Sequence, residues 1–354
     1  MKNNFLHYIH EHKLFDTKSK ILLAISGGID SVCLADLLIR SGYNVEFAHC
    51  NFKLREEESD QDEIFVSDLA NKNKIPFHHI SFDTNHYALS NKLSIQMAAR
   101  ELRYEWFEKV RRAISADYIA IAHNQNDNIE TFFINLINGT GLKGLRAIQN
   151  KNNFIVRPLM FASRNQIGEY VKSKSLNFRE DSSNKSKKYQ RNKVRHELMP
   201  LLKQINPSIE NTIADEIEII KNTYSIFKEQ VDRVVKEISC QTDDGIKISK
   251  NKLIKLELID TYLYEILNVF GFTDIKSIKN SILSNPGKQF FSKSHRLLID
   301  REFVFIEKIE DDFFKDILIY ESTLILSGPI NISFKISSND QIDKIKDKAC
   351  FDYE

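Results

Sequence analysis

The sequence predicts an α/β fold in which a doubly wound parallel sheet is followed by a long linker helix and a small α/β C-terminal domain. Three observations lead to this prediction. Short apolar runs alternate with amphipathic helical stretches between residues 20 and 160, apolar residues recur at helical spacing from 208 to 238, and short apolar runs return after residue 288. Alternating strands and helices are typical of a parallel sheet covered by helices on both faces.

Five strands and four helices are expected in the first of these regions. The expected strands are 21–26, 45–50, 77–81, 118–122 and 154–157, and the expected helices are 31–41, 58–73, 94–115 and 127–138. In sheets of this kind, ligands bind beyond the carboxyl ends of the strands. A functional site is therefore expected in the segments 26–31, 49–55 and 123–130.

A single long amphipathic helix is expected at 208–238. Its apolar residues keep a three-four spacing along the whole stretch, and Pro200 and Pro207 precede it. We therefore expect an N-terminal domain with the candidate site at 1–206, a linker helix at 207–240 and a separate domain at 241–354. In the last domain, a helical stretch near 250–270 precedes short strands, and the long helix offers a surface for a homodimer.

The composition is that of an ordinary globular protein. Hydrophobic residues make up 42% and charged residues 28% of the 354 positions, and no run of 18 apolar residues is present. Because the N-terminus has no apolar signal core, we expect a cytoplasmic protein that does not contact a membrane. Four cysteines lie far apart without a C-x-x-C pair, which argues against a zinc ribbon, an iron–sulfur cluster or a redox couple.

Positive charge is concentrated between Lys172 and Lys203. This segment carries ten Lys or Arg residues against three acidic ones, although the net charge of the whole chain is only +1. Charge runs are often solvated faces without a partner. Phe178 and Tyr189 interleave with the cations, as stacking residues do at RNA-binding surfaces. The pattern therefore fits either a solvated loop or a nucleic-acid contact.

A glycine-rich turn connects the first expected strand to the first expected helix. Its residues are Ser26, Gly27, Gly28, Ile29, Asp30 and Ser31. Backbone N–H groups and the positive end of the helix dipole meet at such a turn, and glycines let a phosphate approach the backbone. A plain βα turn with Ser26 or Asp30 as N-cap is the alternative. The lack of Gly-Lys-Ser/Thr excludes the P-loop of kinases, and the turn resembles the S-G-G-x-D-S pyrophosphate loop of ATP pyrophosphatases.

The segment A-H-N-Q-N-D-N-I-E-T follows the fourth expected strand. It places His123 at the strand end and puts Asp127 and Glu130 on one face of the next helix, where two carboxylates can bind an ammonium ion. The alternatives are a capping box, with Asp127 as the cap and Glu130 reaching back, and a metal site that lacks a further ligand. Mg²⁺ bound with ATP needs only one or two carboxylates, so Asp30, or else Asp127, is expected to contact it.

Two arginines, Arg100 and Arg103, share one face of the helix expected at 94–115. Guanidinium groups near a phosphate loop stabilise the charge that develops during phosphoryl transfer. We therefore assign Arg100 to nucleotide binding and Arg103 to catalysis, with a solvated helix face as the alternative.

Gly139, Gly141 and Gly144 spell G-x-G-x-x-G, the fingerprint of dinucleotide folds. The fingerprint must follow a strand and open a helix, whereas here it follows the helical stretch E-T-F-F-I-N-L-I. We interpret these glycines as a helix stop and a flexible loop.

Taken together, the motifs resemble the tRNA(Ile)-lysidine synthetase family, a branch of the N-type ATP pyrophosphatases (PP-loop superfamily) with an adenine nucleotide alpha hydrolase-like fold. The resemblance runs through S-G-G-I-D-S, A-H-C-N-F-K-L-R, Q-M-A-A-R-E-L-R-Y, A-H-N-Q-N-D-N-I-E-T, N-G-T-G-L-K-G-L, V-R-P-L and E-D-S-S-N-K-S-K-K-Y-Q-R-N-K-V-R-H-E-L-M-P-L-L. The R-N-x-x-R tail of the last segment distinguishes this family from other ATP pyrophosphatases.

The resemblance implies a ligase that uses ATP with Mg²⁺, L-lysine and a tRNA(Ile) with a CAU anticodon. The family adenylates the C2 oxygen of the wobble cytidine, and lysine then displaces AMP to give lysidine, which changes codon reading from AUG to AUA. By this resemblance Asp30, Arg103, His123, Asp127 and Glu130 are catalytic, and Asp127 and Glu130 bind lysine. His123 is a candidate for the base that deprotonates the lysine amine.

The resemblance also implies two binding surfaces. ATP would contact the six residues of the glycine-rich turn together with Arg100. The tRNA would contact the domain at 241–354 and a basic set that consists of Lys187, Lys188, Arg191, Lys193 and Arg195.

This chain departs from the family pattern at three points. In the segment 49–55, Cys50, Asn51 and Phe52 stand where many members have histidines. Asn126 stands where many members have an acid, which leaves Asp127 as the sole aspartate of that motif. The chain also lacks the G-D-R-F-like motif of longer members, which indicates either a shorter form or a truncated chain.

Two other functions stay open at this point: a PP-loop enzyme for tRNA thiolation or small-molecule amidation, and a non-catalytic RNA-binding protein. Thiolation is disfavoured because no suitably spaced cysteines are present.

Overall fold

The computed structural model describes residues 1–54, 57–179, 190–284 and 286–309, together with the backbone of two short strands at 325–326 and 332–333. The chain divides into two compact units, Met1–Gln230 and Val231–Glu354. Among the residues described, no helix is both long enough and apolar enough to cross a bilayer.

The first unit contains a six-stranded sheet with the strand order β3-β2-β1-β4-β6-β5. The strands are β1 Lys20–Ala24, β2 Asn44–Asn51, β3 Phe77–Ser81, β4 Tyr118–Ile121, β5 Lys151–Asn152 and β6 Ile155–Val156. Neighbouring strands from β3 to β6 pair in parallel, and β5 pairs antiparallel with β6. The doubly wound parallel sheet predicted from the sequence is confirmed.

Helices connect these strands and continue beyond the sheet. They are α1 Lys2–Glu11, α2 Ile29–Arg40, α3 Glu57–Asn73, α4 Thr84–Ser90, α5 Ile95–Ala113, α6 Gln125–Ile137, α7 Gly141–Leu145, α8 Arg164–Ser173, α9 Gln190–Lys193 and α10 Met199–Ile205. A π-helical turn, Val194–Leu198, joins α9 to α10. The four helices expected in this region are present, and each of their ends lies within two residues of the expected one.

Apolar packing covers the central strand β1 on both faces. Ile21 and Leu23 belong to one core cluster with Leu38 of α2, whereas Leu22 belongs to a second cluster with Phe107 of α5. Ile21, Leu22 and Leu23, in the middle of β1, are each 0% exposed. Burial on both faces explains why this strand reads as a continuous apolar run instead of an alternating one.

The glycines Gly139, Gly141 and Gly144 follow the end of α6. Gly139 and Gly141 adopt positive φ angles of 63° and 67°, so the predicted helix stop is confirmed. The flexible loop predicted there is wrong, because Gly141–Leu145 forms the short helix α7. The Asn135 side chain donates a hydrogen bond to the Gly144 carbonyl at 2.7 Å and holds this turn in place.

The long helix predicted at 208–238 is confirmed as α11, Ile209–Ile238, with 30 residues. At a rise of 1.5 Å per residue it extends for about 45 Å. Ile217 and Tyr224 on one face are buried, whereas Ile219 and Ile226 are exposed. Its residues contribute to both compact units, since the boundary between the units falls after Gln230.

The second unit contains a five-stranded antiparallel sheet with the order β7-β8-β11-β10-β9. Its elements are β7 Ser239–Thr242, β8 Gly245–Ser249, α12 Lys250–Leu253, α13 Ile259–Val269, α14 Ile275–Leu283, β9 Gln289–Phe291, β10 His295–Ile299 and β11 Phe303–Lys308. A separate pair, β12 Ile325–Leu326 and β13 Ile332–Ser333, is also antiparallel. The helical stretch expected near 250–270 is thus two helices, α12 and α13.

Candidate active site

The glycine-rich turn leads directly from β1 into α2. Gly27 has a φ of +86°, and a Cβ there would lie 3.2 Å from Phe65, so a side chain would be both strained and crowded. Gly28 is the N-cap of α2 and, having no side chain, accepts no hydrogen bond from the first N–H groups within the helix. A Cβ on Gly28 would meet only the Ser26 hydroxyl, at 3.4 Å. The N-terminus of α2 therefore offers free donors and open space, as an anion site requires.

The two serines of the turn have different roles. The buried Ser31 hydroxyl donates to the Gly28 carbonyl at 2.9 Å and accepts from the backbone N–H of Ser26 at 3.3 Å. The Ser26 hydroxyl is exposed and accepts from the backbone N–H of Gly28 at 3.3 Å. Ser31 thus holds the turn in shape, and Ser26 is the serine that a ligand can reach.

Arg179, from a distant segment of the chain, is hydrogen-bonded to the turn. The backbone N–H of Arg179 donates to the Gly27 carbonyl at 2.9 Å, and the Arg179 Nε donates to the Asp62 carboxylate of α3 at 2.8 Å. The sequence did not indicate this contact, because residues 62 and 179 are far apart along the chain.

The helix that follows β4 begins with a capping box. The Asn124 side chain accepts from the backbone N–H of Asp127 at 3.0 Å, and the Asp127 carboxylate accepts from the backbone N–H of Asn124 at 3.1 Å. A capping box with Asp127 as the cap and Glu130 reaching back is therefore wrong, because Asp127 is the third residue of α6. The Asn124 side chain also donates to Asp30 at 3.0 Å, which connects this helix to the glycine-rich turn.

Asp30 and Asp127 lie close enough to interact. Burial raises the pKa of Asp30 above its ordinary value, and the negative charge of Asp127 raises it further. Arg164, the Asn124 amide and Arg195 act in the opposite direction. Two carboxylates that disfavour each other's charge in this way are suited to share a cation.

Glu130 has protein partners of its own. Its side chain is 3% exposed and accepts from Arg195 Nε at 2.6 Å and Arg195 Nη2 at 2.9 Å, while Arg191 Nε lies 3.4 Å away. Asp127 is held less tightly, with Arg164 at 3.7 Å and Arg195 at 3.9 Å from Oδ1. Glu130 therefore has a bidentate arginine partner, whereas Asp127 Oδ1 has only distant ones.

The π-helical turn Val194–Leu198 contains Arg195, whose side chain contacts Glu130. Pro200 follows the turn and has no backbone N–H, so it cannot donate to the residue four positions before it. The backbone N–H of Met199 instead donates to the Val194 carbonyl, five positions earlier. π-Helical turns of this kind occur often at functional sites, and here the turn lies beside the carboxylate pair.

The basic set predicted to bind tRNA is divided by the structure. Arg195 pairs with Glu130, and Arg191 donates to the Thr131 hydroxyl at 2.9 Å in addition to facing Glu130. Lys193 is exposed. The two remaining members, Lys187 and Lys188, lie outside the described residues. Among the described members, Lys193 is thus the cation best placed to meet a phosphate.

The two arginines of α5 have aromatic neighbours. The Arg103 guanidinium lies 5.1 Å from the centre of the Phe52 ring, and Arg100 lies 4.8 Å from the Tyr104 ring. Phe52 stacks on Phe82 at the carboxyl ends of β2 and β3. Arg103 is therefore held on the same edge of the sheet as the glycine-rich turn.

His123 is half-buried at the end of β4, and its Nδ1 lies 3.1 Å from Arg157 Nε. Asn124, Arg157 and Arg164 were not among the predicted site residues. Arg157 follows β6, so the rule that ligands bind beyond strand ends would have found it if it had been applied to the strand expected at 154–157. Nothing in the sequence points to the role of Arg164.

Among the described residues, no cluster of three or more His, Cys, Asp or Glu side chains could hold a metal ion by itself. Mg²⁺ commonly binds through one or two carboxylates together with substrate phosphates and water. Asp30 lies in the glycine-rich turn at the N-terminus of α2, where a carboxylate and a bound phosphate could share such an ion.

Two domain profiles match the chain. Residues 1–202 match the PP-loop domain, and residues 241–309 match the TilS substrate binding domain. Among solved structures, the U34-tRNA thiolase NcsA from Methanococcus maripaludis is 16% identical, with a TM-score of 0.49 over 62% of this chain and 79% of that chain.

Relatives with curated names are much more similar. The tRNA(Ile)-lysidine synthase of Parabacteroides distasonis is 40% identical over 98% of this chain and 80% of its own length. That of Bacteroides thetaiotaomicron is 39% identical over 99% of this chain and 80% of its own length. Together with the match to the PP-loop domain, these similarities show that the chain belongs to the tRNA(Ile)-lysidine synthase family.

Proposed function

We propose that this chain is a ligase that converts the wobble cytidine of a CAU-anticodon tRNA(Ile) to lysidine, with ATP and L-lysine as co-substrates. The observation that supports this proposal most directly is the hydrogen bond from the Asn124 amide to Asp30, at 3.0 Å. It joins an open phosphate-binding turn to a helix that presents two carboxylates, so a nucleotide phosphate and an amine can meet in one site. Family membership supplies the substrates.

In the first step, the C2 oxygen of cytidine attacks the α-phosphate of ATP, and pyrophosphate leaves with the electron pair of the broken P–O bond. The free N–H groups at the start of α2 bind phosphate oxygens, and the exposed Ser26 hydroxyl adds a donor. Arg100 and Arg103 stabilise the negative charge that develops on the transferred group. Asp30 would hold the Mg²⁺ that accompanies ATP, and that ion would supply positive charge for the leaving pyrophosphate.

In the second step, the lysine ε-amine attacks C2, and AMP leaves with the electron pair of the broken C–O bond. Asp127 binds the α-ammonium group of lysine, because its Oδ1 has arginine groups only at 3.7 and 3.9 Å. Glu130 contributes negative charge to the same site, but its direct partner is Arg195. Holding the amine beside the activated carbon makes the attack effectively intramolecular.

The tRNA would contact Lys193 and the predicted cations Lys187 and Lys188, together with the domain at 241–354. The match of residues 241–309 to the TilS substrate binding domain supports the contact with that domain.

A homodimer through α11 is also proposed, and the exposed Ile219 and Ile226 support it. Sedimentation velocity tests the dimer. We expect the wild type to sediment as a dimer and the Ile226→Lys variant as a monomer.

Separation of the two steps tests the proposed reaction. The enzyme is mixed with ATP labelled at the α-phosphate and unmodified tRNA without lysine, and then chased with lysine. We expect label to appear in the tRNA and to be released as AMP only after lysine is added. A tRNA with the wobble cytidine replaced by uridine is the control. Label that never enters the tRNA, or that enters the control equally, would contradict the proposal.

A further inference from the structure

A buried arginine, Arg157, lies against His123 at the carboxyl ends of β4 and β6. Arg157 is 8% exposed, and among the described residues no carboxylate lies within 4 Å of its guanidinium group. Its Nε donates to His123 Nδ1 at 3.1 Å, and its Nη1 donates to the Gln149 carbonyl at 2.7 Å. These bonds fix the guanidinium in one orientation.

The contact between Arg157 and His123 has only one possible direction. A guanidinium group has five N–H donors and no acceptor, and it stays protonated in proteins. His123 Nδ1 must therefore accept, which requires a lone pair on that nitrogen. A neutral imidazole with a lone pair on Nδ1 carries its proton on Nε2. Protonation of Nδ1 would bring two N–H groups against each other.

The charged groups around His123 come from several elements. Burial lowers the pKa of His123, Asp127 of α6 opposes this, and Arg157, Arg191 and Arg100 lower it again. His123 is therefore neutral at pH 7, in agreement with the hydrogen bond from Arg157.

The other ring nitrogen of His123 is available to a ligand. In the part of the chain that the structure describes, no protein group bonds Nε2, and this atom is not among the buried atoms that lack a partner. The next residue, Asn124, bonds Asp30 of the glycine-rich turn. An N–H donor thus stands beside the site at which the nucleotide phosphates are proposed to bind.

We propose that Arg157 is a positioning residue that fixes the Nε2–H tautomer of His123, and that His123 uses this N–H to donate a hydrogen bond to a phosphate oxygen of the transferred adenylyl group. This inference rests on the proposed function for the identity of the reaction. No proton is transferred by His123 in this arrangement. In this arrangement His123 does not act as the candidate base for the lysine amine, because its Nε2 carries a proton.

The tautomer is tested without any turnover. Protein labelled with ¹⁵N-histidine is examined by NMR, and the His123 signals are assigned by their loss in His123→Gln. We expect an unprotonated Nδ1 and a protonated Nε2 in the wild type and in Arg157→Lys, which keeps a cationic donor. Arg157→Met should give a mixture of the two tautomers. A protonated Nδ1 in the wild type would overturn the inference.

The role of the N–H is tested in the adenylyl transfer step. A glutamine amide places an N–H close to the position of Nε2 but cannot act as a base, so His123→Gln should retain adenylyl transfer within about tenfold. His123→Ala removes the donor and should lose about 10²–10³-fold in rate. Equal losses in both variants would overturn the donor role.

Variants of Arg157 separate positioning from general structural damage. Arg157→Met is expected to lower kcat by about 10–100-fold, as removal of an orienting partner typically does, with the KM for ATP changed less than about threefold. Arg157→Lys should recover most of kcat, and the distant, exposed Arg112→Met is the matched control. An unchanged kcat in Arg157→Met would overturn the positioning role. Absence of adenylyl transfer in the wild type would instead count against the proposed function.

Discussion

Replacing Arg195 with methionine is expected to destabilise the first unit by about 3 kcal/mol. Loss of one partner of a buried ion pair costs roughly 3–5 kcal/mol, because the remaining charge is left without compensation. The Glu130 side chain is 3% exposed, so water cannot replace the lost partner. We expect the lower end of the range since Arg191 Nε remains 3.4 Å from Glu130 and the Arg195 side chain is 18% exposed.

The assay is thermal unfolding followed by tryptophan fluorescence. Trp106 is the single tryptophan of the sequence and lies in α5, so its signal reports the first unit. For a unit of this size, about 3 kcal/mol corresponds to a decrease in Tm of about 6–12 °C. Arg112→Met is the control, because the Arg112 side chain is 75% exposed and its partner Glu108 also pairs with Arg111. The control should change the stability by less than about 0.5 kcal/mol.

A double-mutant cycle shows whether the loss comes from the ion pair. Glu130→Gln removes the buried negative charge, so the double variant with Arg195→Met should be more stable than the sum of the two single losses predicts, by about 1–3 kcal/mol. A loss in Arg195→Met no larger than that of the control would refute this reasoning. Arg195 would then be free to contact tRNA, as the sequence alone predicts.

Three further predictions concern the site and its surroundings. Asp30→Asn should reduce the rate of AMP formation about 100-fold or more, while the Kd for tRNA, measured by filter binding, changes less than about threefold. An unchanged rate of AMP formation would show that Asp30 has no part in the reaction. Lys193→Gln should lower the slope of log K for tRNA against log salt by about 0.7–0.9, and an unchanged slope would exclude a phosphate contact at Lys193. Burial lowers the pKa of His123 from 6.5 to about 4 in the folded protein, so at falling pH the unfolded chain binds a proton before the folded one does. The free energy of unfolding of the first unit should therefore decrease by at most about 1.4 kcal/mol per pH unit between these two values. Urea unfolding at pH 7 and pH 5.5 measures this loss, and His123→Gln should reduce it.

The elements that depend on local sequence could be predicted. The parallel sheet, the turn at Gly27 and Gly28 and the helix α11 each leave a pattern in a short stretch of chain, either an apolar run, a glycine pair or a three-four spacing. These patterns need no knowledge of distant residues. They were sufficient to locate the edge of the sheet at which the glycine-rich turn lies.

The pairing of charged side chains could not be predicted in this way. Glu130 and Arg195 are 65 residues apart, and nothing in either segment indicates that one binds the other. The sequence therefore suggested lysine as the partner of Glu130 and tRNA as the partner of Arg195. The capping box that was considered as an alternative was placed one turn late, because Asn124 and Asp127 fit the same spacing rule as Asp127 and Glu130.

The strands β7 and β8 were also missed. Their segment, S-C-Q-T-D-D-G-I-K-I-S, is mostly polar, and only Ile246 and Ile248 are buried. β8 pairs with β11, whose apolar run was recognised. Pairing with a distant strand thus stabilises a segment whose own pattern is weak.

One site of this protein is proposed to use ATP to attach lysine to the wobble cytidine of tRNA(Ile). The most direct measurement incubates the enzyme with ATP, Mg²⁺, radiolabelled lysine and unmodified CAU-anticodon tRNA(Ile), and follows label in the RNA together with AMP. We predict one AMP for each lysine incorporated, and neither product when the wobble cytidine is replaced. AMP without incorporated lysine, or lysine incorporated independently of that cytidine, would contradict the claim.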